Sequence, residues 1–260
     1  MIAIVTGASE GLGKALAFEL AGRGINLVLV ALPASGLQQL ARFIRLNFNV
    51  RVIYVEGDLT NSTTCTSLFE MLEQQGVKAD MLINNAGLGN WSRFEEKDVQ
   101  FYKKQIDLNI TSTVLLSRLF IGQAVAGRTI YLMNVGSLNS YFVVPRKQVY
   151  GACKSFVSHF TRCLQLEQAD KNVRISLLSP GATNTKPELL VINHRLKGIS
   201  AQSVLEPEVV AKAAVDGLLK GKKEIVPGAV NRGLLVLNRM LPNFIKEIIV
   251  RKQLRLQTGA

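Results

Sequence analysis

Cysteine and histidine are scarce in this chain, with three of the first and two of the second among 260 residues. Cys65, Cys153 and Cys163 form no CxxC pair and share no Cys/His ligand spacing. Neither a disulfide framework nor a metal site is expected, and reduced thiols fit a cytoplasmic setting. Acidic residues are few as well: 19 against 31 Lys and Arg leave a formal net charge of +12, which favours an acidic partner. No apolar run approaches the roughly 18 residues that cross a bilayer, so a transmembrane segment is not expected. The first residues, MIAIVTGASE, hold no basic n-region or cleavage pattern and should enter structure directly rather than act as a signal peptide. A single tryptophan, with no stacking platform and no groove-reading helix, argues against nucleic acid as the partner.

What is present points to a packed fold. Hydrophobic residues make up 48%, enough for a sizeable core, and nothing in the composition divides residues 1–260 into two domains. Short β-branched runs at 2–5, 26–31, 51–55, 80–83, 129–135, 173–178 and 224–226 alternate with amphipathic stretches near 12–23, 36–47, 62–75, 98–124, 149–169 and 207–220. Strands that are apolar throughout and separated by helices predict a doubly wound α/β fold, its mostly parallel seven-stranded sheet covered on both faces. Residues 182–205 are long for a strand-to-helix connection and are expected to form a substrate lid containing Leu189, Leu190, Val191 and Ile192.

From 228 to 260 the chain is a basic, apolar extension. Between 220 and 260, Lys220, Lys222, Lys223, Arg232, Arg239, Lys246, Arg251, Lys252 and Arg255 are set against Glu224 and Glu247, a local excess of +7. Pro242 can start a helix whose apolar face holds Phe244, Ile245, Ile248 and Ile249. That helix is expected to pack on its own subunit or on a symmetry mate. Covering an apolar pocket or lying on an anionic membrane are the alternatives.

Chemistry concentrates where strands end. After the first strand, Gly7, Gly11 and Gly13, with Ser9, Glu10 and Leu12 between them, allow a sharp turn and close approach of backbone amides to a pyrophosphate at a helix N-terminus. A ligand-free glycine turn is the plain alternative, but strand, turn and helix follow in the order the mechanism needs. Asp58, before Leu59, can accept a hydrogen bond from an adenine amino group or cap the following helix, a role for which Asn61 or Ser62 is better placed. Asn84, Asn85, Ala86 and Gly87 are small enough for backbone to lie against a flat ring, or form a simple turn. Ser137 follows the fifth strand. Tyr150 and Lys154 share one helical face at i and i+4, so the ammonium is expected to stabilise phenolate and lower the tyrosine pKa from its usual value of about 10. Such a tyrosine exchanges a proton near neutral pH. Cys153 and His159 are expected to pack internally, and His194 to line the lid or face water.

Together, the glycine turn, Asn84-Asn85-Ala86-Gly87, Asn109, Ser137, Tyr150-x-x-x-Lys154 and Pro180-Gly181-x-x-x-Thr185 resemble the single-domain short-chain dehydrogenase/reductase family over residues 1–227. The step from Ser137 to Tyr150 is the family's usual one, and the glycine pattern separates this branch from the extended epimerases. The resemblance implies a Rossmann-like fold and hydride transfer between NAD or NADP and a ketone or secondary alcohol. It makes Tyr150 the proton donor or acceptor, and Ser137 the hydrogen-bond donor to the substrate oxygen. Lys154 would tune Tyr150 and hold the nicotinamide ribose, Asn109 would maintain a water-linked relay, and Pro180, Gly181 and Thr185 would line the nicotinamide. The cofactor set is Gly7, Ser9, Glu10, Gly11, Leu12, Gly13, Asp58, Leu59, Asn85, Ala86, Gly87, Tyr150, Lys154, Pro180, Gly181 and Thr185. A homodimer or homotetramer is expected through the helices near 98–124 and 149–169.

The second strand ends in Ala31-Leu32-Pro33, without the aspartate of NAD-preferring relatives and without the basic residue of NADP-preferring ones. Ser35 and Lys14 could assist a phosphate while Glu10 opposes one, and the balance leans to NADP. Phe142, Val143, Val144 and Pro145, with the lid leucines, predict an apolar substrate such as a 3-oxoacyl thioester or a steroid-like compound. A dinucleotide-binding regulator that has lost catalysis is the alternative.

Overall fold

The β-branched runs form seven strands: β1 (Ile2–Thr6), β2 (Asn26–Ala31), β3 (Val52–Glu56), β4 (Met81–Asn84), β5 (Ile130–Val135), β6 (Val173–Leu178) and β7 (Glu224–Ile225). Between and after them lie α1 (Gly11–Gly22), α2 (Leu37–Asn47), α3 (Ser62–Gln74), α4 (Val99–Ile106), α5 (Ser112–Ile121), α6 (Gln148–Glu167), α7 (Pro207–Leu219) and α8 (Ala229–Met240). The computed structural model describes residues 1–250 apart from 125, 126, 170, 186–189, 191, 192, 194–197, 243 and 249. Leu189, Val191, Ile192, His194, Ile249, Arg251, Lys252 and Arg255 therefore lie outside the described residues.

The strands pair in the order β3-β2-β1-β4-β5-β6-β7, every pairing parallel. Alternation along each strand divides the core between the two faces. Ala3 and Val5 of β1 join Leu16, Leu20, Leu37, Ile44 and Val210 under α1, α2 and α7. Ile4 joins Cys65, Leu68, Leu72, Leu116 and Phe120 under α3 and α5. Helix starts follow local chemistry: Asn61 accepts from the Thr63 amide at 3.0 Å, Asp98 accepts from the Phe101 amide at 2.7 Å, and Pro207 opens α7.

The single helix expected over 98–124 is divided. A π turn, Asp107–Thr111, separates α4 from α5. Side chains take up the carbonyls around this turn: Asn109 Nδ2 donates to Gln105 O at 2.7 Å, Ser112 Oγ to Leu108 O at 2.6 Å and Thr113 Oγ1 to Asn109 O at 3.0 Å. Hydrophobic period alone does not reveal a one-residue insertion of this kind.

Strand order reverses between β1 and β4, which opens a crevice at their carboxyl ends. There the chain turns at Gly7 (φ 63°), and Gly13 backs against it: a Cβ at Gly13 would stand 1.9 Å from Gly7 O. Gly13→Ala is therefore expected to force the turn apart and lower stability by about 1–3 kcal/mol, measured as a falling Tm. An unchanged Tm would show that the turn yields freely.

Candidate active site

The turns after β1 and β4 are bonded together. Thr6 Oγ1 accepts from the amides of Asn85 and Ala86, each at 3.0 Å, while Asn85 Nδ2 donates to Thr6 O at 2.9 Å and Gly7 O at 3.2 Å. A Cβ on Gly7 would stand 2.9 Å from Ala86 Cα. The Asn85 side chain thus holds the crevice, and the backbone of Ala86 and Gly87 forms its surface. Ser9 and Glu10 sit in the turn itself, whereas the Leu12 and Leu59 side chains are buried in the core, so only their main chain is open to a ligand. Asp58 Oδ1 accepts from the Thr60 amide at 2.9 Å, closing a local turn, and Asn61 caps α3. The loop after β6 crosses the glycine turn. A Cβ at Gly11 would meet Thr185 Cβ at 2.8 Å, and Pro180 O accepts from the Leu138 amide at 2.9 Å.

Tyr150, Lys154, Asn109 and Gly87 come together from α6, the π turn and the loop after β4. Lys154 is buried, donates to Val135 O at 2.7 Å, and has Nζ 5.8 Å from the centre of the Tyr150 ring. The Cβ position on Gly87 would lie 2.9 Å from Asn109 Oδ1 and 3.5 Å from Lys154 Nζ, so both polar heads border the same small volume. Asn109 Oδ1 is buried without a hydrogen-bond partner among the described residues, while its Nδ2 donates to Leu88 O at 2.9 Å. Gly89 faces the Tyr150 ring, 3.4 Å from the Cβ position to Cδ2. Ser137 Oγ accepts from the Asn139 amide at 3.1 Å.

The electrostatics differ from expectation at one point. Burial pushes Tyr150 above the usual tyrosine range, outweighing the lowering influence of nearby Ser137, so the expected lowering by Lys154 is not seen in this state. Lys154 is itself depressed to about 8 by burial, and its ammonium is committed to Val135 O. A second cation stands nearby: Lys147 Nζ lies 5.2 Å from the Trp91 ring and 5.5 Å from the Tyr150 ring, and burial lowers its pKa too.

Other expectations resolve simply. Cys153 is buried, but His159 is exposed on α6 rather than packed, because its position on the helix faces away from the sheet. Lys14 is exposed, with Nζ 5.8 Å from the Phe18 ring.

Beneath the site lies a buried amide network that the motifs did not reveal. Asn84 Nδ2 donates to Asn134 Oδ1 at 2.9 Å and to Ser117 Oγ at 3.0 Å, and Asn134 Nδ2 donates to Thr161 Oγ1 at 3.0 Å. It joins β4, β5, α5 and α6, the elements that carry or flank Asn109, Ser137 and Tyr150. The available signal was Asn134, a lone amide in an otherwise apolar strand. Gln105, fully buried, likewise donates to Leu88 O and Asn90 Oδ1 and fixes the loop over Asn109.

Comparison with known proteins bears on the family and the fold. The family described as short chain dehydrogenase matches residues 1–189. An uncharacterized oxidoreductase of Staphylococcus saprophyticus is 30% identical over 220 residues, 84% of this chain and 90% of that protein. The 11-beta-hydroxysteroid dehydrogenase A of Sesamum indicum is 27% identical over 239 residues, 88% of this chain and 68% of that one. Among solved structures, a short-chain dehydrogenase from Sphingobium yanoikuyae in complex with NADPH superposes with a TM-score of 0.78 at 26% identity, covering 93% of this chain and 96% of that one. With its parallel doubly wound sheet and this match over most of its length, the chain belongs to the short-chain dehydrogenase/reductase family and is an oxidoreductase.

Proposed function

We propose that the protein transfers hydride between a nicotinamide dinucleotide, with NADP(H) preferred, and an apolar ketone or secondary alcohol. The observation that carries this reading is the convergence of Tyr150, Lys154 and the unpartnered Asn109 Oδ1 around Gly87, beside the glycine turn. The crevice fits a dinucleotide: added Cβ atoms at Gly7 and Gly13 would collide with its walls, and the N-terminus of α1 has no side-chain cap. When bound, the nicotinamide supplies the hydride.

The chain's own residues do the rest. The amides around Gly7, Gly11 and Gly13 hold the pyrophosphate, Asp58 borders the adenine, and the Ala86–Gly87 backbone lies along the dinucleotide. Pro180, Gly181 and Thr185 line the nicotinamide half. Ser137 donates to the carbonyl oxygen, Tyr150 delivers the proton to that oxygen in reduction and removes it in oxidation, and Lys154 holds ribose hydroxyls. Its positive charge favours phenolate at the moment Tyr150 gives up its proton. Asn109 Oδ1, facing the same volume as Lys154 Nζ, positions a water that resupplies the proton.

The cofactor preference rests on the end of β2. No acidic residue lies in the first turn of α2, whose start at Gly36 has no side-chain cap, and the Ser35 hydroxyl is buried without a partner among the described residues. These groups suit a 2′-phosphate better than a ribose hydroxyl pair. Titration followed by thermal shift and by fluorescence transfer from Trp91 is expected to give a Kd for NADPH at least tenfold below that for NADH. Tighter NADH binding would overturn the preference, and binding of neither would overturn the enzymatic reading.

The substrate class rests on Phe142, Val144 and Pro145, half-buried between Ser137 and Tyr150, and on exposed Val143 and Leu190. The Sesamum relative's steroid name supports a bulky apolar ketone, and the basic surface supports an acyl thioester. Turnover of steroid ketones and of 3-oxoacyl thioesters of several chain lengths separates them. Failure of every thioester while other ketones react excludes the second. α4 to α6, with exposed Phe156 and Leu166 on α6, are the proposed homo-oligomer face.

A further inference from the structure

We propose that the C-terminal extension is a docking surface for an anionic lipid bilayer and that it sets the mouth of the active site against that bilayer. The inner face of α8 is fixed to the site. Asn231 is buried, packs on Gly181 with Oδ1 2.7 Å from that glycine's Cβ position, and donates to Ser203 O and Pro227 O. At the other end, Asn238 Nδ2 donates to Tyr141 O at 2.9 Å, and Arg239 lies 3.5 Å from Glu224, whose carboxylate also accepts from the Tyr141 hydroxyl. Arg162 and Arg239 both stand over the Tyr141 ring, at 5.3 and 5.8 Å. α8 is thus tied to the segment between Ser137 and Tyr150 that borders the substrate.

The outer face is apolar and uncovered among the described residues. Val236, Leu237 and Met240 on α8, and Phe244 and Ile248 on the short helical stretch over 244–248, are each more than half exposed, Met240 by 76% and Phe244 by 64%. Val236 and Met240 are one turn apart on α8, and Phe244 and Ile248 one turn apart on the stretch that follows the extended Leu241. Val143, in the substrate segment beside Tyr141, is 77% exposed. Near them stand exposed Arg232 and Arg239, half-buried Lys246 and exposed Glu247, and the sequence from 220 to 260 carries an excess of +7.

Charge chooses the occupant. A second copy would bring two positive faces together, and a nucleic acid would leave the apolar centre uncovered, whereas an anionic bilayer satisfies both components. No helix among the described residues is long and apolar enough to cross a membrane, so the contact is peripheral. The docking surface stands apart from the catalytic reading. Only its use, entry of an apolar ketone directly from lipid, rests on that reading.

The test is sedimentation of the full-length chain with vesicles of phosphatidylcholine alone and of phosphatidylcholine with 30% phosphatidylserine. Binding to the anionic vesicles at low salt, lost at 0.5 M salt, is expected. Met240→Ser with Phe244→Ser should weaken it at least tenfold, and Lys246→Glu about fivefold or more. Both variants should keep the wild-type Tm and the wild-type turnover of a water-soluble ketone in the absence of vesicles. Equal binding to neutral vesicles would overturn the electrostatic part. No binding to either, or a dimer in analytical ultracentrifugation that Met240→Ser with Phe244→Ser dissociates, would overturn the proposal.

Discussion

Tyr150→Phe is expected to lower kcat by about 10²–10⁴ while leaving dinucleotide affinity within a factor of two. The substitution deletes one hydroxyl and keeps the ring, which faces Gly89, where an added Cβ would stand 3.4 Å away, and lies against Lys147 and Lys154. The crevice is bonded by Thr6, Asn85 and Ala86, none of which touches that hydroxyl. Stability should therefore change little. Single-turnover reduction of a ketone, run beside a binding titration, measures both quantities. Undiminished turnover would remove Tyr150 from proton transfer, and lost binding would show that the residue builds the crevice. A regulator that only binds the dinucleotide would show no turnover in wild type and the same affinity in both proteins.

Lys154→Met is expected to lose activity and gain stability together. Lys154 is only 5% exposed, and no carboxylate pairs with its ammonium among the described residues. Burial depresses its pKa to about 8, whereas the unfolded chain holds the ordinary lysine value near 10.4. Between these two values the unfolded state binds the proton and the folded state does not, so wild-type stability rises with pH across that window. Below pH 8 the full cost of burying the charge is present, about 3 kcal/mol. Removing it also leaves Val135 O unpaired, which costs about 1–2 kcal/mol. The net gain, about 1 kcal/mol or more at pH 7, corresponds to a Tm rise of about 2–4 °C. It should fade as the pH approaches 10 and then reverse, since only the lost hydrogen bond remains. Turnover at pH 7 should fall by about 10²-fold or more. A variant that melts lower than wild type at pH 7 would show that the hydrogen bond outweighs the charge.

Much of this site was legible as sequence because its chemistry sits where strands end, and strand ends are marked by glycine, asparagine and proline. The turn from Gly7 to Gly13, the Asn85-Ala86-Gly87 run and the Tyr150–Lys154 spacing each state a local geometry. The crevice forms where Thr6 and Asn85 bond these local geometries together across 79 residues. Position in the interior is harder to read. Nothing in the period of residues 98–124 marks the π turn that aims Asn109 inward, because one inserted residue leaves the apolar pattern nearly unchanged. The Asn84–Asn134–Thr161 network depends on which faces of β4, β5 and α6 meet, and Lys147 depends on the loop that brings Trp91 over it. Tyr150's raised pKa has the same origin. Spacing placed the lysine beside it, but enclosure of the pair, which opposes ionisation, is a property of the packed state.

The reversal of strand order has a kinetic side. β1 and β4 are the middle of the sheet yet distant in the chain. Their seam is three residue pairs, Ala3 with Met81, Ile4 with Leu82 and Val5 with Ile83, together with the Ile2 amide donating to Asp80 across a separation of 78 residues. The ribbon of β1, β2 and β3 can zip from local crossovers. Joining it to β4 requires closing that long loop, so the crevice is among the last parts of the sheet to be completed during refolding. A molecule bound there spans the seam and acts as a clasp. It should slow hydrogen exchange at Ile4, Val5 and Leu82 more than at the outer strands, and it should make the opening of this one joint the step that governs how long the native protein survives.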